Sequence, residues 1–287
     1  MTVVEAWKRF WFRPARPVGI IICRALVSLN ALWIVLSRPD LPEVLRWPHV
    51  FWTAVEPPLR ARFLLFPMPQ RIETMLYVLL ALSLASAASG LLPRISCFLS
   101  ALLLYRFAPL ESILTVGSGP HFRGLTLPAL ALFLLAFTEV PRLQGLPSSE
   151  FRWPLMLVRV MVVNIYVSSG VAKLWNVGPI WFTSDYFRSL VRSMALPEFV
   201  PPWAPAWAAS VALGWVGAVG GLFLDFAVLV PLFFPRTSVI VVPILFVGHL
   251  FIWKVFGVIF LSTPLLLLFF PWEDRGISIV DDDVRSV

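Results

Sequence analysis

Apolar runs of bilayer length, broken at Pro, Gly, Arg and Trp, set the pattern of this chain. A membrane-crossing helix needs about 20 apolar residues. Val18–Ser37 has that length and ends at Arg38-Pro39-Asp40, with no small-residue cleavage motif, so it predicts a first crossing and not a signal peptide. Further crossings are predicted at Ile72–Leu92, Ile95–Val116, Leu125–Phe137 (entered near His121) and Trp153–Leu174. Trp207–Phe234, Thr237–Trp253 and Phe256–Trp272 complete the set, the last two also readable as one kinked hairpin. The expected fold is an all-α, polytopic membrane bundle of about eight helices. Around it lie a basic, aromatic segment at 1–17, a membrane domain at 18–272 and a short acidic tail at 273–287. Two connections carry Trp and Pro: Arg38–Arg71, suited to the headgroup level, and the amphipathic Trp175–Pro205. Lys8, Arg9, Arg13 and Arg16 before the first crossing place the amino terminus in the cytoplasm, and an even helix count returns the carboxyl terminus there.

Composition narrows the class. The chain has 287 residues, 59% hydrophobic and 14% charged, with a mean hydropathy of +0.85. A soluble domain carries about 25% charge, so an ordinary cytosolic enzyme is excluded, and disorder fails for the opposite reason, too much hydrophobicity. The net charge of +7 rests on 23 basic residues, of which only Lys8, Lys173 and Lys254 are lysines. These are scattered among short loops, which suits membrane interfaces and gives nucleic acid no patch to bind. The lipid bilayer is the expected partner, with the bacterial inner membrane as the expected location. Cys23 and Cys97 lie in apolar runs without a CxxC, and the three histidines have no ligand spacing. No metal or haem site is therefore expected. Gly217 to Gly221 is a GxxxG step suited to close helix packing.

Ionisable groups inside crossings are costly and usually face an interior. Here they are Arg24, Arg106, Glu111, Glu139, Arg159, Lys173, Asp225, His249 and Lys254. In the fifth crossing Arg159, Tyr166 and Lys173 fall seven apart, with Ser169 between, so the helical period puts them on one face. A bland account has Arg159 and Lys173 reaching to opposite interfaces, since fourteen residues rise about 21 Å. In the alternating topology Lys173, His121, His249, Arg106 and Glu111 all fall toward the outer side. Arg106 and Glu111 are expected to be buried and partnered, and Asp225 to meet Arg236, Arg24 or a backbone donor. Lys173 is expected to share a pocket with His121, Tyr166 and His249, walled by Trp175 and Trp181, where a desolvated amine could serve as a general base.

The segment Asn164-Ile-Tyr-Val-Ser-Ser-Gly-Val-Ala-Lys173-Leu-Trp, followed by Gly178 and Trp181, resembles the signature of the HTTM family. This is the horizontally transferred transmembrane domain, known from vitamin K-dependent γ-carboxylase. The resemblance extends to Arg24, Pro120-His121, Leu224-Asp225, Gly248-His249-Leu250 and Phe260–Trp272, and so to nearly the whole chain. It implies a reduced quinone as cofactor, Lys173 as the base that deprotonates it, and His121 as a second catalytic residue. Tyr166, Arg159, His249, Trp175, Arg106 and Glu111 are then candidate ligand-binding residues. Unlike the carboxylase, the chain runs only from Glu273 to Val287 after its last crossing, where that enzyme carries a large extramembrane domain. Carboxylation of a protein substrate is therefore not implied, while a quinol-sized or lipid-sized ligand is. The alternative is a non-catalytic membrane subunit that holds a lipid or a membrane or soluble partner protein.

Overall fold

A computed structural model describes residues 2–37, 39, 42, 68–114, 124–140, 145–194, 210–256, 260, 262–274, without the side chains of 109–114, 191–194, 213, 255–256 and 274. Among them every regular element is helical. The expectations for Arg38–Arg71 (but for six residues), His121, the Glu111 side chain, residues 195–205 of Trp175–Pro205 and most of the acidic tail lie outside the described residues. The chain forms two compact units, 1–158 with 271–287, and 159–270.

The first unit begins with α1 (Val3–Phe12), which Thr2 and Glu5 start through reciprocal side-chain-to-backbone bonds. Pro17 sits in the first turn of α2 (Pro17–Leu36), where its missing N–H costs nothing. α3 (Gln70–Ser89) ends at Gly90, whose φ of +80° suits a residue without Cβ. Pro93 then opens α4 (Pro93–Leu114), which packs on α3 and on α5 (Thr126–Ala136). α2 packs on α3 and α5 and on the short turn Trp272–Asp274. The unit also holds the first ten residues of α6 (Ser149–Asn176). Arg152 there donates to Glu273 at 2.7 Å.

The second unit holds the remainder of α6, a 3-10 turn at Gly178–Phe182, and the amphipathic helix α7 (Ser184–Met194). After it come α8 (Val211–Ala227), α9 (Leu229–Phe233) and α10 (Ser238–Phe256), then a 3-10 helix at Thr263–Phe269. α7 packs on α8 because Gly217 has no side chain: the Phe187 ring occupies the space a Cβ would need. The GxxxG step serves helix packing, as its sequence suggested.

Five helical stretches among the described residues are long and apolar enough to cross a membrane. They are Pro17–Leu36, Gln70–Ser89, Ser149–Asn176, Gly214–Phe233 and Pro235–Lys254. This all-helical architecture is compatible with a multi-pass membrane protein, but it does not confirm the count of eight. The fourth expected crossing is a helix of 11 residues, which rises about 16 Å against a hydrocarbon core of about 30 Å. Among the described residues of the eighth, Thr263–Phe269 forms a 3-10 helix of 7 residues. Such helices stay short because their hydrogen-bond geometry is poor. Trp207–Phe234 is also interrupted, one helix ending at Ala227 and the next starting at Leu229. α4 has 22 residues but is not among the five.

Each unit wears its apolar residues outside. Met75, Leu79 and Leu82 are exposed on α3, while Glu73 and Ser83 of the same helix are buried. On α8, Val216, Val219 and Phe223 are exposed and Asp225 is buried; on α10, Ile240, Val247 and Leu250 are exposed and His249 is buried. Water penalises such surfaces, and lipid does not.

Candidate functional site

The polar face of α6 within the second unit carries the candidate chemistry. Lys173 donates from Nζ to Asp225 Oδ2 of α8 at 2.5 Å. Its side chain keeps 24% of its exposure and that of Asp225 10%. The pairing gives Asp225 a partner outside the set expected for it, which was Arg236, Arg24 or a backbone donor. Its physical basis is a close helix approach, which sequence spacing alone does not report. Gly170 lies one turn before Lys173, and a methyl group there would stand 2.9 Å from Asp225 Cβ and 2.8 Å from Phe226 Cε2. Only a glycine lets the Asp225 backbone come within reach of the amine.

An aromatic wall stands beside the pair. Lys173 Nζ lies 5.2 Å from the Trp181 ring centroid, a cation–π distance. The Trp181 indole is fixed by donating to the Ala218 carbonyl at 3.0 Å and by packing on Tyr186. Trp175, expected beside Trp181 in this role, is instead 86% exposed. The reason is helical phase: two residues after Lys173, it leaves the shared face. The turn at Gly178–Phe182 brings Trp181, the other ring expected there, against the amine.

Tyr166 and His249 stand deeper in the same unit, with ring centroids 5.4 Å apart, and Phe260 packs 4.6 Å from His249. Both side chains are buried, yet the Tyr166 hydroxyl and His249 Nδ1 have no hydrogen-bond partner of good geometry. Buried polar atoms are ordinarily paired, and an orphan marks stored strain, a function or an unseen partner. Ser262 and Thr263 are polar neighbours of Tyr166, and the charge of Lys173 acts on His249.

Arg159 starts the same stripe but does other work. Its Nε donates to the Leu268 carbonyl at 2.7 Å and a terminal nitrogen to the Phe270 carbonyl at 3.1 Å. It thereby caps the 3-10 helix at Thr263–Phe269, whose last carbonyls lack partners within the helix. With 2% exposure it offers a ligand little surface.

The first unit encloses a different set. Arg106 is buried and gripped by Glu73 through both carboxylate oxygens, with Nε to Oε2 at 3.1 Å. Glu73 also accepts from the Met68 amide. The partner of Arg106 is thus a residue in the first turn of the neighbouring helix α3 that the sequence reading did not single out. Arg24, also buried, donates to the Thr138 hydroxyl at 3.3 Å, and Arg94 donates to the Thr138 carbonyl at 3.1 Å. Among the described residues no group of three or more His, Cys, Asp or Glu is placed to hold a metal.

Taken together, the described residues define an all-helical protein with five membrane-length helices and a partly open, aromatic-walled ion pair in its second unit. Comparison with protein-family models, curated proteins and solved structures finds no match for the chain.

Proposed function

We propose that the chain is a multi-pass membrane protein whose second unit binds a lipid-soluble, hydroxylated ligand of quinol size at the Lys173–Asp225 pair. One observation carries this reading. A pair that keeps some exposure, with the Trp181 ring beside it, lies in the same unit as two buried polar atoms that have no hydrogen-bond partner of good geometry, Tyr166 Oη and His249 Nδ1, the latter's ring packed on Phe260. A flat ligand with an oxygen at its edge suits that inventory: rings for its faces, a donor or acceptor for its oxygen. The resemblance of the Ser169-Gly170…Lys173-Leu174 segment to the HTTM signature supports the same ligand class.

The pair gives Lys173 a more specific role than a lone amine. Bonded to Asp225, Lys173 is an ammonium and holds no free lone pair. It accepts a proton from a ligand hydroxyl only as its own proton passes to the carboxylate. The pair then gains one proton in total, resident on Asp225, and the ligand oxygen becomes an anion beside the ammonium. Such a step draws on preorganised charge in a site sheltered from water.

A second reading is favoured by the arginines. Arg159 and Arg106 are spent on carbonyls and on Glu73, as they would be in a non-catalytic subunit that binds a partner through its apolar surface.

Mass spectrometry of the lipids that copurify with wild-type, Lys173→Arg, Lys173→Met and Asp225→Asn proteins separates the two. The ligand reading expects a hydroxylated or quinoid lipid in the wild type, retained by Lys173→Arg and depleted at least tenfold in Lys173→Met and Asp225→Asn. It also expects Lys173→Arg to lose proton transfer, because a guanidinium stays protonated. An unchanged lipid inventory across all four proteins would leave the subunit reading standing.

A further inference from the structure

The amino-terminal helix has no place in the site, and its two faces differ. At 100° per residue, Val3, Ala6, Trp7 and Phe10 share one side of α1 with Val4 and Trp11 on its flank. Glu5, Lys8, Arg9 and Phe12 take the other side, and Arg13 follows at the end of the helix. No residue of α1 is buried. Val3, Val4, Trp7 and Phe12 are 87, 62, 62 and 53% exposed, and Lys8, Arg9 and Arg13 are exposed beside them. Glu5, the helix's only acid, is already used by the Thr2 backbone amide.

The helix is nevertheless held. Ala15 and Ser148 exchange backbone hydrogen bonds at 3.0 Å, and Arg152 donates to the Phe10 carbonyl at 3.4 Å. Trp11 packs edge-on between Trp7 and Phe10. An exposed apolar strip is therefore carried on a fastened helix and not on a trailing end. Three cations with no carboxylate partner among the described residues flank it, and α2, one of the five membrane-length helices, begins four residues after Arg13.

We infer that α1 is an in-plane anchor for an anionic lipid surface, with Val3, Val4 and Trp7 in the acyl boundary and Lys8, Arg9 and Arg13 among acidic headgroups. A short helix with an aromatic-aliphatic face and a basic face sits at that depth. Tryptophan favours the headgroup level, where its ring is sheltered and its N–H is wet. The charge selects the occupant: three cations repel a basic surface and gain little from a zwitterionic one, while each gains from an anionic leaflet.

The test uses the full-length protein with Val4→Cys carrying a nitroxide label, Cys23 and Cys97 being buried. It is placed in bilayers of phosphatidylcholine with and without phosphatidylglycerol, and label depth is read from collisions with oxygen and with an aqueous nickel chelate. The anchor predicts a label below the phosphates when phosphatidylglycerol is present and a water-exposed label in phosphatidylcholine alone. Lys8→Gln/Arg9→Gln/Arg13→Gln should weaken the immersed state roughly a hundredfold, three cations at about tenfold or less each, and high salt should weaken it as well. The variant removes no buried side chain, so loss of immersion is not loss of fold. A label equally deep in both bilayers, or in water in both, overturns the proposal. So does protection that arises only when an acidic protein is added.

Discussion

Each unit of the molecule contains an ion pair that joins two of its helices, Arg106–Glu73 in the first and Lys173–Asp225 in the second, and these two are built for different ends. Arg106–Glu73 in the first unit is sealed: the side chains keep 6% and 1% of their exposure, and both carboxylate oxygens are taken. Lys173–Asp225 in the second joins through Nζ and Oδ2, with the lysine side chain at 24%. In the first unit Ser100 donates to Ser83 at 2.9 Å and Tyr77 to the Val35 carbonyl at 2.5 Å, while Ser28 Oγ and both polar atoms of Asn30 on α2 lack a partner among the described residues. In the second, Tyr166 and His249 each leave a polar atom unspent. A forked guanidinium suits a permanent bidentate lock, whereas an ammonium is a point charge on a flexible stem. The contrast separates a device that fixes helices from one that keeps chemistry available.

The strongest way to break this comparison is to cut the sealed pair. Arg106→Met should strand Glu73 in a buried site and cost about 3–5 kcal/mol of stability, in the range found for breaking buried pairs. Glu73→Gln added to it should recover much of the loss, because no charge is then stranded. Thermal unfolding in mild detergent reads both. If Arg106→Met melts like the wild type, the first pair is not a lock.

Removing Arg159 follows in size. Arg159→Met leaves the Leu268 and Phe270 carbonyls without their donor, and each unsatisfied buried group costs about 1–3 kcal/mol. Hydrogen exchange should rise at the 3-10 helix Thr263–Phe269 before the rest of the unit. Even protection across the unit would show that Arg159 is not its cap.

Gly170→Ala sharpens the comparison from the other side. The added methyl meets Asp225 Cβ and the Phe226 ring, and overpacking of this kind costs about 1–3 kcal/mol. Retained lipid should fall as well, since the α6–α8 approach that forms the pair is pushed open. Full stability together with full ligand retention would mean that the close approach is not needed for the site.

Lys173→Met should cost less stability than Arg106→Met, because its pair is partly open and lysine truncation leaves Asp225 its other interactions. Its effect on copurifying ligand should be the larger of the two. That reversal, more function lost for less stability, is the signature of an available pair. The smallest expected effect belongs to Trp175→Ala. At 86% exposure it should change stability by no more than about 0.5 kcal/mol and leave the ligand in place.

How much of this was legible in the chain can be argued residue by residue. The stripe Arg159–Tyr166–Lys173 follows from the helical period alone, and it does share one face of α6. The choice of Tyr166 and His249 as unusual polar residues in apolar helices also needed only the sequence, as did Gly217 as a packing notch. Period and hydropathy are local properties, and so are the caps at Pro17 and Gly90. Other features depend on which helix lies against which. Glu73 and Arg106 are 33 residues apart and Lys173 and Asp225 are 52, and hydropathy says nothing about the rotation of one helix against another. Trp181 enters through a turn whose direction is set by φ of +62° at Gly178.

The sequence by itself therefore determined an all-helical, apolar chain with polar groups too costly to face lipid, because each of those facts is written within one or two helical turns. The tertiary structure alone decided which charges would meet. Pairing depends on helix-to-helix distance, and that distance is set where a residue such as Gly170 has no side chain to hold the neighbours apart.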